Sequence, residues 1–252
     1  MPRFFIKEEN IMPDGKIRLL GDDANHVSHS LRMRVGDKIT VCDFFNYEYD
    51  CIIEAFTSDD VTLSVVEKHT GANEPSVSVS LFQGVPKSTK LEMIIQKCVE
   101  LGISKIYPVA MARCISRPDE KSSEKKTKRW NMISQEAAKQ SGRGVVPEVC
   151  DTVSFRDAIK KLKEHDVCFL CYEMCDETQD ADIKTFLKRS ISETTGSVAF
   201  LVGPEGGISP EEAAYAKENG ISFVSLGKRI LRTETAPLCV LSCIMYESDN
   251  MK

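Results

Sequence analysis

The first seventy residues alternate between apolar and polar positions with a period of two, which is the pattern of half-buried strands. We predict strands over residues 16–20, 38–44, 49–55 and 61–67, with a short helix within 22–37. Several short strands of this kind are readily closed into a small barrel. A Gly-, Asn-, Pro- and Ser-rich stretch at 69–76 then predicts a linker.

The rest of the chain alternates short apolar runs with segments of helical period. Predicted strands cover 77–83, 103–109, 167–172, 197–202 and 222–226, and predicted helices cover 90–101, 122–141, 154–164, 182–191, 208–219 and 236–247. Such alternation favours a mostly parallel α/β sheet with helices on both faces. We therefore expect two domains, a β-barrel over 1–72 and an α/β domain over 76–252.

A glycine-rich turn follows the apolar run at 197–202, in the sequence "LVGPEGGISPEE". Ser209, Pro210 and Glu212 predict a capping box at the start of a helix. The turn lacks the lysine of a P-loop and the spacing of a dinucleotide fingerprint. Glu205 and Glu211, together with Glu212, would repel a polyphosphate. Two interpretations remain, a site for a phosphate-free and even cationic ligand, or a tight turn without a ligand.

A second loop, "LGKRILRTETAPL", follows the next predicted strand. Adjacent strands of an open α/β sheet carry their ligands at the carboxyl ends. Arg232 and Glu234 are therefore candidate site residues. The alternative is that they form a local ion pair, with Thr235 as the N-cap of the helix that follows.

Composition and charge narrow the classes of protein. The 252-residue chain is 42% hydrophobic, yet it has neither an apolar run of bilayer length nor a signal-peptide pattern at its start. We expect a cytoplasmic protein that does not enter a membrane. The net charge is −5, but residues 113–143 contain nine basic and four acidic side chains. This stretch either faces phosphates or forms a solvated helix face.

The ten cysteines are irregularly spaced, which in a cytosolic chain predicts reduced thiols. Cys168, Cys171 and Cys175 are candidate zinc ligands, but the first two lie in a predicted core strand and no second ligand cluster follows. His26 and His29 lack further ligands in the same way. We expect no metal site.

Six segments in order resemble one family. They are "MPRFF", "NHVSHSLRMRVGD", "IQKCVELGISKIYPV", "KQSGRGVVPEV" and the two glycine loops. Together they resemble the bacterial ribosomal RNA small-subunit methyltransferase E family, of the SPOUT class. The resemblance implies an N-terminal PUA-like β-barrel and a C-terminal α/β domain with a trefoil knot, which periodicity could not have shown.

The resemblance also implies a function. Members transfer a methyl group from S-adenosyl-methionine to N3 of a uridine in 16S rRNA of the small ribosomal subunit, act as homodimers and use no metal. Arg232 and Glu234 are the expected catalytic residues, with Arg232 stabilising negative charge on the uracil carbonyls. Glu234 either accepts the N3 proton, orients Arg232 or is purely structural. The expected RNA contacts are Arg3, Arg32 and Arg34 of the barrel and Arg143 of the α/β domain. The expected donor-binding residues are Leu201, Val202, Gly203, Glu205, Gly207, Leu226, Gly227, Leu231, Thr233 and Ala236.

Three alternatives remain open at this stage. One is a related knotted methyltransferase that acts on transfer RNA or on another ribosomal site. Another is an RNA-binding protein of this fold without turnover, which the intact "RILRTETA" loop disfavours. The third is a nucleotide hydrolase, which the missing P-loop lysine disfavours.

Overall fold

The computed structural model describes residues 1–114, 120–175 and 181–251, with side chains from 123 onward in the middle range. The chain divides into two compact units. Unit 1 comprises Met1–Glu74 and Ala138–Val146, and unit 2 comprises Pro75–Ala137 and Pro147–Lys252. Residues 115–119 of the basic stretch 113–143 lie outside the described residues.

Unit 1 is built on a curled, mainly antiparallel five-stranded sheet in the order β1-β3-β4-β5-β2. Only the β1–β3 pair is parallel. Two register irregularities between β4 and β5 mark bulges, which bend long strands. The strands are β1 Arg3–Phe5, β2 Ile17–Leu20, β3 Lys38–Cys42, β4 Tyr47–Phe56 and β5 Asp60–Thr70, and β2 is followed by helix α1, Gly21–Asn25, and a π-helical turn, His26–Ser30.

All four predicted strands are present, and burial alternates in β2 and at the start of β5, whereas β3 is buried from Ile39 to Cys42. In β2, for example, Ile17 and Leu19 face a closed apolar core while Arg18 and Leu20 point outward. The sequence pattern did not predict β1, which is too short to show a period.

Unit 1 is completed by a segment far along the chain. The guanidinium of Arg143 donates to the carboxylate of Glu74, and the backbone N–H groups of Gly144 and Val145 donate to Glu74 Oε1 over 3.0 and 3.2 Å. Arg143 is only 4% exposed. The residues from Ala138 to Val146 are thus held in unit 1 by a buried charge contact.

Unit 2 contains a parallel sheet in the order β11-β13-β10-β12-β6-β7-β8, with β9 paired to β7. This confirms the predicted parallel α/β sheet. Its strands are β6 Ser78–Gly84, β7 Lys105–Ala110, β8 Glu148–Val149, β9 Val153–Ser154, β10 Val167–Cys171, β11 Ala181–Asp182, β12 Ser197–Val202 and β13 Ser222–Ser225. Its helices are α2 Lys90–Glu100, α3 Glu120–Ser141, α4 Phe155–Leu162, α5 Ile183–Ser190, α6 Pro210–Glu218 and α7 Ala236–Glu247, and the last residues of α3 belong to unit 1.

The strand order brings the two glycine loops close together. β12 lies between β6 and β10, and β13 pairs with the other side of β10. Because these strands are parallel, their carboxyl ends share one edge of the sheet. Phe200 and Leu201 of β12 are fully buried, as expected of a strand covered on both faces.

The predicted helix limits differ from the observed ones by a few residues. α3 begins at Glu120 rather than 122, and α6 begins at Pro210 rather than 208, whereas α7 has the predicted limits. Trp130 of α3 is buried and packs in the interior. Within the described ranges, no helix has the length and apolar character needed to cross a membrane.

Candidate active site

A cavity of about 1030 Å³ opens at the carboxyl ends of β10, β12 and β13. Its walls are the loop after β10, the glycine turn 203–207 and the loop 226–235 after β13. The volume is at the upper end of the range of small-molecule sites. The two loops that the sequence singled out therefore form one cleft.

Glycine is required in the turn by close approach as well as by backbone conformation. Gly207 has a φ of +69°, and a Cβ there would lie 2.8 Å from Glu173 Oε1. A Cβ on Gly206 would lie 2.9 Å from the Cβ of Arg113, whose Nη1 donates to Gly206 O over 2.9 Å. At Gly206 a side chain would force Arg113 to shift, whereas at Gly207 the positive φ is the stronger constraint, because the end of the Glu173 side chain can move.

The N-terminus of α6 is already capped. Ser209 Oγ accepts from Glu212 N over 3.2 Å, and Glu212 Oε2 accepts from Ser209 N over 3.1 Å, so the predicted capping box is confirmed. Glu212 Oε1 also accepts from Ala112 N over 2.8 Å. Since these donors are satisfied by the buried Glu212, the helix end offers little to a phosphate.

A buried polar contact joins the two loops to β6. Thr233 Oγ1 donates to Gly203 O over 2.7 Å, and Gln83 Nε2 donates to Thr233 Oγ1 over 3.0 Å. Gln83 is fully buried and Thr233 is 6% exposed. The sequence did not reveal Gln83, because it lies in an apolar run that indicated only a core strand.

A second contact centres on Lys90, the first residue of α2. Its Nζ lies 3.1 Å from Glu205 Oε1 in the glycine turn and 3.2 Å from Glu234 Oε2 in the following loop. The backbone N–H of Lys87 donates to both oxygens of Glu205, over 3.1 and 3.2 Å. Nothing in the sequence distinguishes Lys90, because a lysine in the first turn of a helix has no characteristic pattern.

These contacts keep the cluster charged. The hydrogen bond to Glu205 is the main reason that the pKa of Lys90 lies above its usual value. Partial burial acts to raise the pKa of Glu205, but backbone hydrogen bonds and the Lys90 ammonium outweigh it and lower that pKa overall. Both partners are therefore ionised at neutral pH.

Arg232 lines the cleft with an exposed side chain that has no hydrogen-bond or ion-pair partner among the described residues. The alternative of a local Arg232–Glu234 ion pair is wrong, because Glu234 pairs with Lys90 instead. Thr235 occupies the N-cap position of α7, but its hydroxyl makes no capping hydrogen bond. Arg232 O accepts from Thr235 N and Ala236 N, over 2.9 and 3.0 Å, and shapes the turn into α7.

The expected donor-binding residues lie together. All of them line the cleft except Leu201, whose side chain is fully buried in the core. Glu205 lines the cleft, yet its carboxylate is engaged by Lys87 and Lys90.

The expected RNA-contacting arginines divide into two pairs, all of them in unit 1. Arg3 donates to Glu48 Oε1 and Oε2 over 2.7 and 3.0 Å, and Arg143 is bound to Glu74, so both side chains are engaged within unit 1. Arg32 and Arg34 are exposed, with no side-chain ion pair to any described residue.

The cysteines and histidines form no metal centre in the described ranges, where no group of three or more His, Cys, Asp or Glu side chains could hold an ion. All ten cysteines lie in those ranges and remain outside disulfides, and burial raises the pKa of several thiols, that of Cys51 to about 12.

Comparison with known proteins identifies the class of this site. The family model for an RNA methyltransferase domain matches residues 73–245, and that for an RNA methyltransferase PUA domain matches residues 19–66. Ribosomal RNA small subunit methyltransferase E of Bacillus subtilis is 35% identical over 255 residues, covering 100% of this chain and 99% of that protein. The protein of the same name from Mesomycoplasma hyopneumoniae is 29% identical over 97% of this chain and 99% of its own length.

A solved structure agrees with these matches. Ribosomal RNA small subunit methyltransferase E from Neisseria gonorrhoeae, bound to S-adenosyl methionine, is 30% identical, with a TM-score of 0.83 over 98% of this chain and 97% of that one. The fold and cleft are those of an RNA methyltransferase with an N-terminal PUA-like domain. This chain belongs to the ribosomal RNA small subunit methyltransferase E family, as the sequence resemblance predicted.

Proposed function

We propose that this chain transfers a methyl group from S-adenosyl-methionine to N3 of one uridine in 16S rRNA of the small ribosomal subunit. The observation that carries the proposal is the single cleft formed by the two glycine loops, with Arg232 exposed in its wall. The relative from Neisseria gonorrhoeae, whose structure contains S-adenosyl methionine, supports the choice of donor.

The residues of the cleft suit a donor that has no phosphate. The end of α6 is closed by its own capping box, and the carboxylates of Glu205 and Glu234 share the Lys90 ammonium. Glycines in the turn have no side chain to cover the backbone, so a ligand can approach it closely. When bound, the donor supplies a methyl group on a cationic sulfur. The residues that would hold it are Val202, Gly203, Glu205, Gly207, Leu226, Gly227, Leu231, Thr233 and Ala236, and Leu201 would support them from the core.

Arg232 is proposed to stabilise the uracil anion. The N3–H bond of uracil lies between two carbonyl groups, and methylation replaces it with an N–C bond formed by the N3 electron pair. The methyl–sulfur bond of the donor would break at the same time, and the donor would leave as a neutral thioether. The guanidinium has donors in a rigid fork that suits developing charge on the carbonyl oxygens. Its lack of a partner among the described residues leaves those donors available.

Glu234 is proposed to position the loop rather than to accept the N3 proton. A general base must reach the proton within a hydrogen bond. The carboxylate is instead held 3.2 Å from Lys90 Nζ and is mostly covered, with 17% of its side chain exposed. In this proposal the released proton passes to solvent.

RNA contact by unit 1 is assigned to Arg32 and Arg34, since both are exposed and carry no described ion pair. Arg3 and Arg143 would act indirectly, by holding Glu48 and Glu74. The proposal also includes action in the cytoplasm, a homodimeric enzyme and a trefoil-knotted chain path in unit 2. These three features rest on the family resemblance.

The test uses methyl-labelled S-adenosyl-methionine and small ribosomal subunits from cells that lack this modification, followed by nucleoside mass spectrometry. We expect N3-methyluridine at a single position of 16S rRNA. Naked 16S rRNA and transfer RNA are assayed in parallel. Label in transfer RNA alone would contradict the ribosomal substrate, and donor binding without transfer to any of these RNAs would contradict the activity.

A further inference from the structure

We propose that Lys90 is a positioning residue for methyl transfer, because it holds the loop that carries Arg232 in its working conformation. The proposal rests on the function proposed above and deepens it. Lys90 does not contact the reacting atoms in this proposal. It acts through the carboxylates of Glu205 and Glu234.

The side chain of Lys90 joins three segments of unit 2. One ammonium lies within 3.2 Å of two carboxylates, one from the glycine turn and one from the loop after β13. The side chain begins at the first residue of α2, so three segments that are distant in sequence meet at a single nitrogen. Its side chain is about one third exposed, at 32%, and the side chain of Glu234 is more enclosed.

The Lys90 ammonium is the shared cation of two carboxylates. Without the ammonium, the carboxylates of Glu205 and Glu234 would face each other with no cation between them, and like charges at short range repel. Glu205 would keep the backbone N–H of Lys87 as a donor, whereas the described contacts leave Glu234 with no other cation. The loop after β13 is therefore the segment that loses its anchor.

Arg232 directly precedes two residues, Thr233 and Glu234, whose side chains contact other segments of unit 2. Thr233 forms hydrogen bonds with Gln83 and Gly203. The next residue, Glu234, forms an ion pair with Lys90, in which Oε2 lies 3.2 Å from Nζ without the geometry of a hydrogen bond. Two consecutive residues held on different partners define the path of the backbone immediately after Arg232. Arg232 itself has no side-chain partner among the described residues, so its direction depends on that backbone. Small misplacement of a catalytic group lowers rate strongly even when binding persists.

The experiment compares Lys90→Met with Lys90→Arg in the full-length protein. Lys97→Met is the matched control, since Lys97 lies on the same helix and also pairs with a carboxylate, Glu100, but does not line the cleft. The measurements are the single-turnover rate at saturating donor and RNA, the Kd for S-adenosyl-methionine, and the KM for the small subunit.

We expect Lys90→Met to lower the single-turnover rate about 10- to 100-fold, the range that small misplacements can produce. The donor Kd should change by less than about threefold, Lys90→Arg should recover most of the rate, and Lys97→Met should match the wild type. In a Glu234→Gln background, Lys90→Met should cost less than it does alone, because contacting residues are not additive.

Two results would overturn the proposal. One is a wild-type rate for Lys90→Met. The other is a donor Kd that rises as much as the rate falls, since this would make Lys90 a donor-binding residue.

A readout independent of turnover separates this inference from the proposed function. Amide hydrogen exchange in residues 230–235 should be faster in Lys90→Met than in the wild type or in Lys97→Met. If the wild type transfers no methyl group and this difference is still seen, the proposed function fails while the anchoring by Lys90 stands. Unchanged exchange in this segment would contradict the anchoring whatever the activity.

Discussion

The hydroxyl of Thr233 donates a hydrogen bond to the carbonyl oxygen of Gly203 over 2.7 Å, and so links the loop after β13 to the glycine turn after β12. The same hydroxyl accepts from Gln83 Nε2, a fully buried donor in β6. One side chain thus satisfies a polar group of β6 and a polar group of the glycine turn, at the edge of the sheet where the cleft lies.

Replacing Thr233 by Val should therefore destabilise unit 2 and loosen the cleft. The substitution preserves shape but removes the hydroxyl that bridges Gln83 and Gly203. Gln83 Nε2 keeps Gly84 O as an acceptor over 3.0 Å and lies 3.4 Å from Gly203 O. We therefore expect the lower end of the cost of about 1–3 kcal/mol for a buried unsatisfied group. Urea unfolding should report this loss, and a titration should show weaker donor binding. Thr235→Val is the matched control, because the Thr235 hydroxyl makes no capping bond and its residue is exposed. Equal stability of the two variants would contradict the role assigned to Thr233.

Replacing Arg232 by Ala should abolish methyl transfer and leave donor binding nearly unchanged. The reason is that the guanidinium is proposed to stabilise charge on the RNA base and not to hold the donor. Arg232→Lys should recover only part of the rate, because an ammonium keeps the charge and loses the planar fork. The measurements are single-turnover transfer and donor titration. Near-normal transfer by Arg232→Ala would refute the assignment.

Reversing two exposed charges of unit 1 should weaken RNA binding. We expect the double variant Arg32→Glu and Arg34→Glu to lower affinity for small subunits or 16S rRNA, with a shallower dependence on salt, because phosphate contacts release counterions. The check is a binding titration at several salt concentrations, together with thermal unfolding to show that the fold persists. An unchanged affinity at low salt would show that these arginines do not contact the RNA.

Loss of Arg143 should act on stability. Its side chain is 5% exposed and its guanidinium contacts the carboxylate of Glu74. Removing one partner of a buried pair leaves an uncompensated charge and costs about 3–5 kcal/mol. Because Glu74 is partly exposed and keeps two backbone donors, the lower end is expected for Arg143→Ala in urea unfolding. Arg34→Ala, at an exposed site, should stay within about 0.5 kcal/mol of the wild type, and a similar loss in both variants would be inconsistent with the pairing.

Asp166 should make stability depend on pH in the acid range. Hydrogen bonds from the Ser197 hydroxyl and from the backbone N–H groups of Ser197 and Gly196 hold its pKa below the ordinary value of 3.8. A carboxyl with a lowered folded-state pKa stabilises the fold above its ordinary pKa, and that contribution disappears as pH falls through the folded-state value. The stabilities of Asp166→Asn and wild type should thus differ at pH 6, begin to converge as pH falls below about 3.8, and become equal only below the folded-state pKa of Asp166. A difference that stays constant across this range would argue against the linkage.

Much of the fold could be predicted because the hydrophobic patterns of its strands and helices lie in runs of adjacent residues. The strand before the glycine turn and the full length of α7 follow from runs of adjacent residues, and the Ser209–Glu212 capping box is a pattern of four residues. β1 could not be predicted in this way, because its three residues pair with β3 more than thirty positions later. The two-residue strands β8, β9 and β11 are likewise defined only by their neighbours.

The candidate site, like the fold, was only partly predictable from the sequence. Both glycine loops were predictable from the sequence, yet the groups that join them were not. Gln83 resembles any residue of a buried strand and Lys90 any residue at the start of a helix, and each gains its role from partners more than a hundred residues away. Arg3 and Arg143 illustrate the converse, since a basic side chain predicted to face RNA can instead be bound by a carboxylate of its own unit.

Unit 1 consists of two separate segments of the chain, and this delays its completion during synthesis. Arg143 follows Glu74 by 69 residues, so the buried pair forms only after residues 75–142, most of them in unit 2, have been made. At roughly 5–20 residues per second, this delay is about 3–14 seconds. During that time the N-terminal sheet is exposed without its last segment, and Glu74 has no guanidinium beside it. The part of the protein that leaves the ribosome first is thus completed only by a segment made well after the midpoint of the chain.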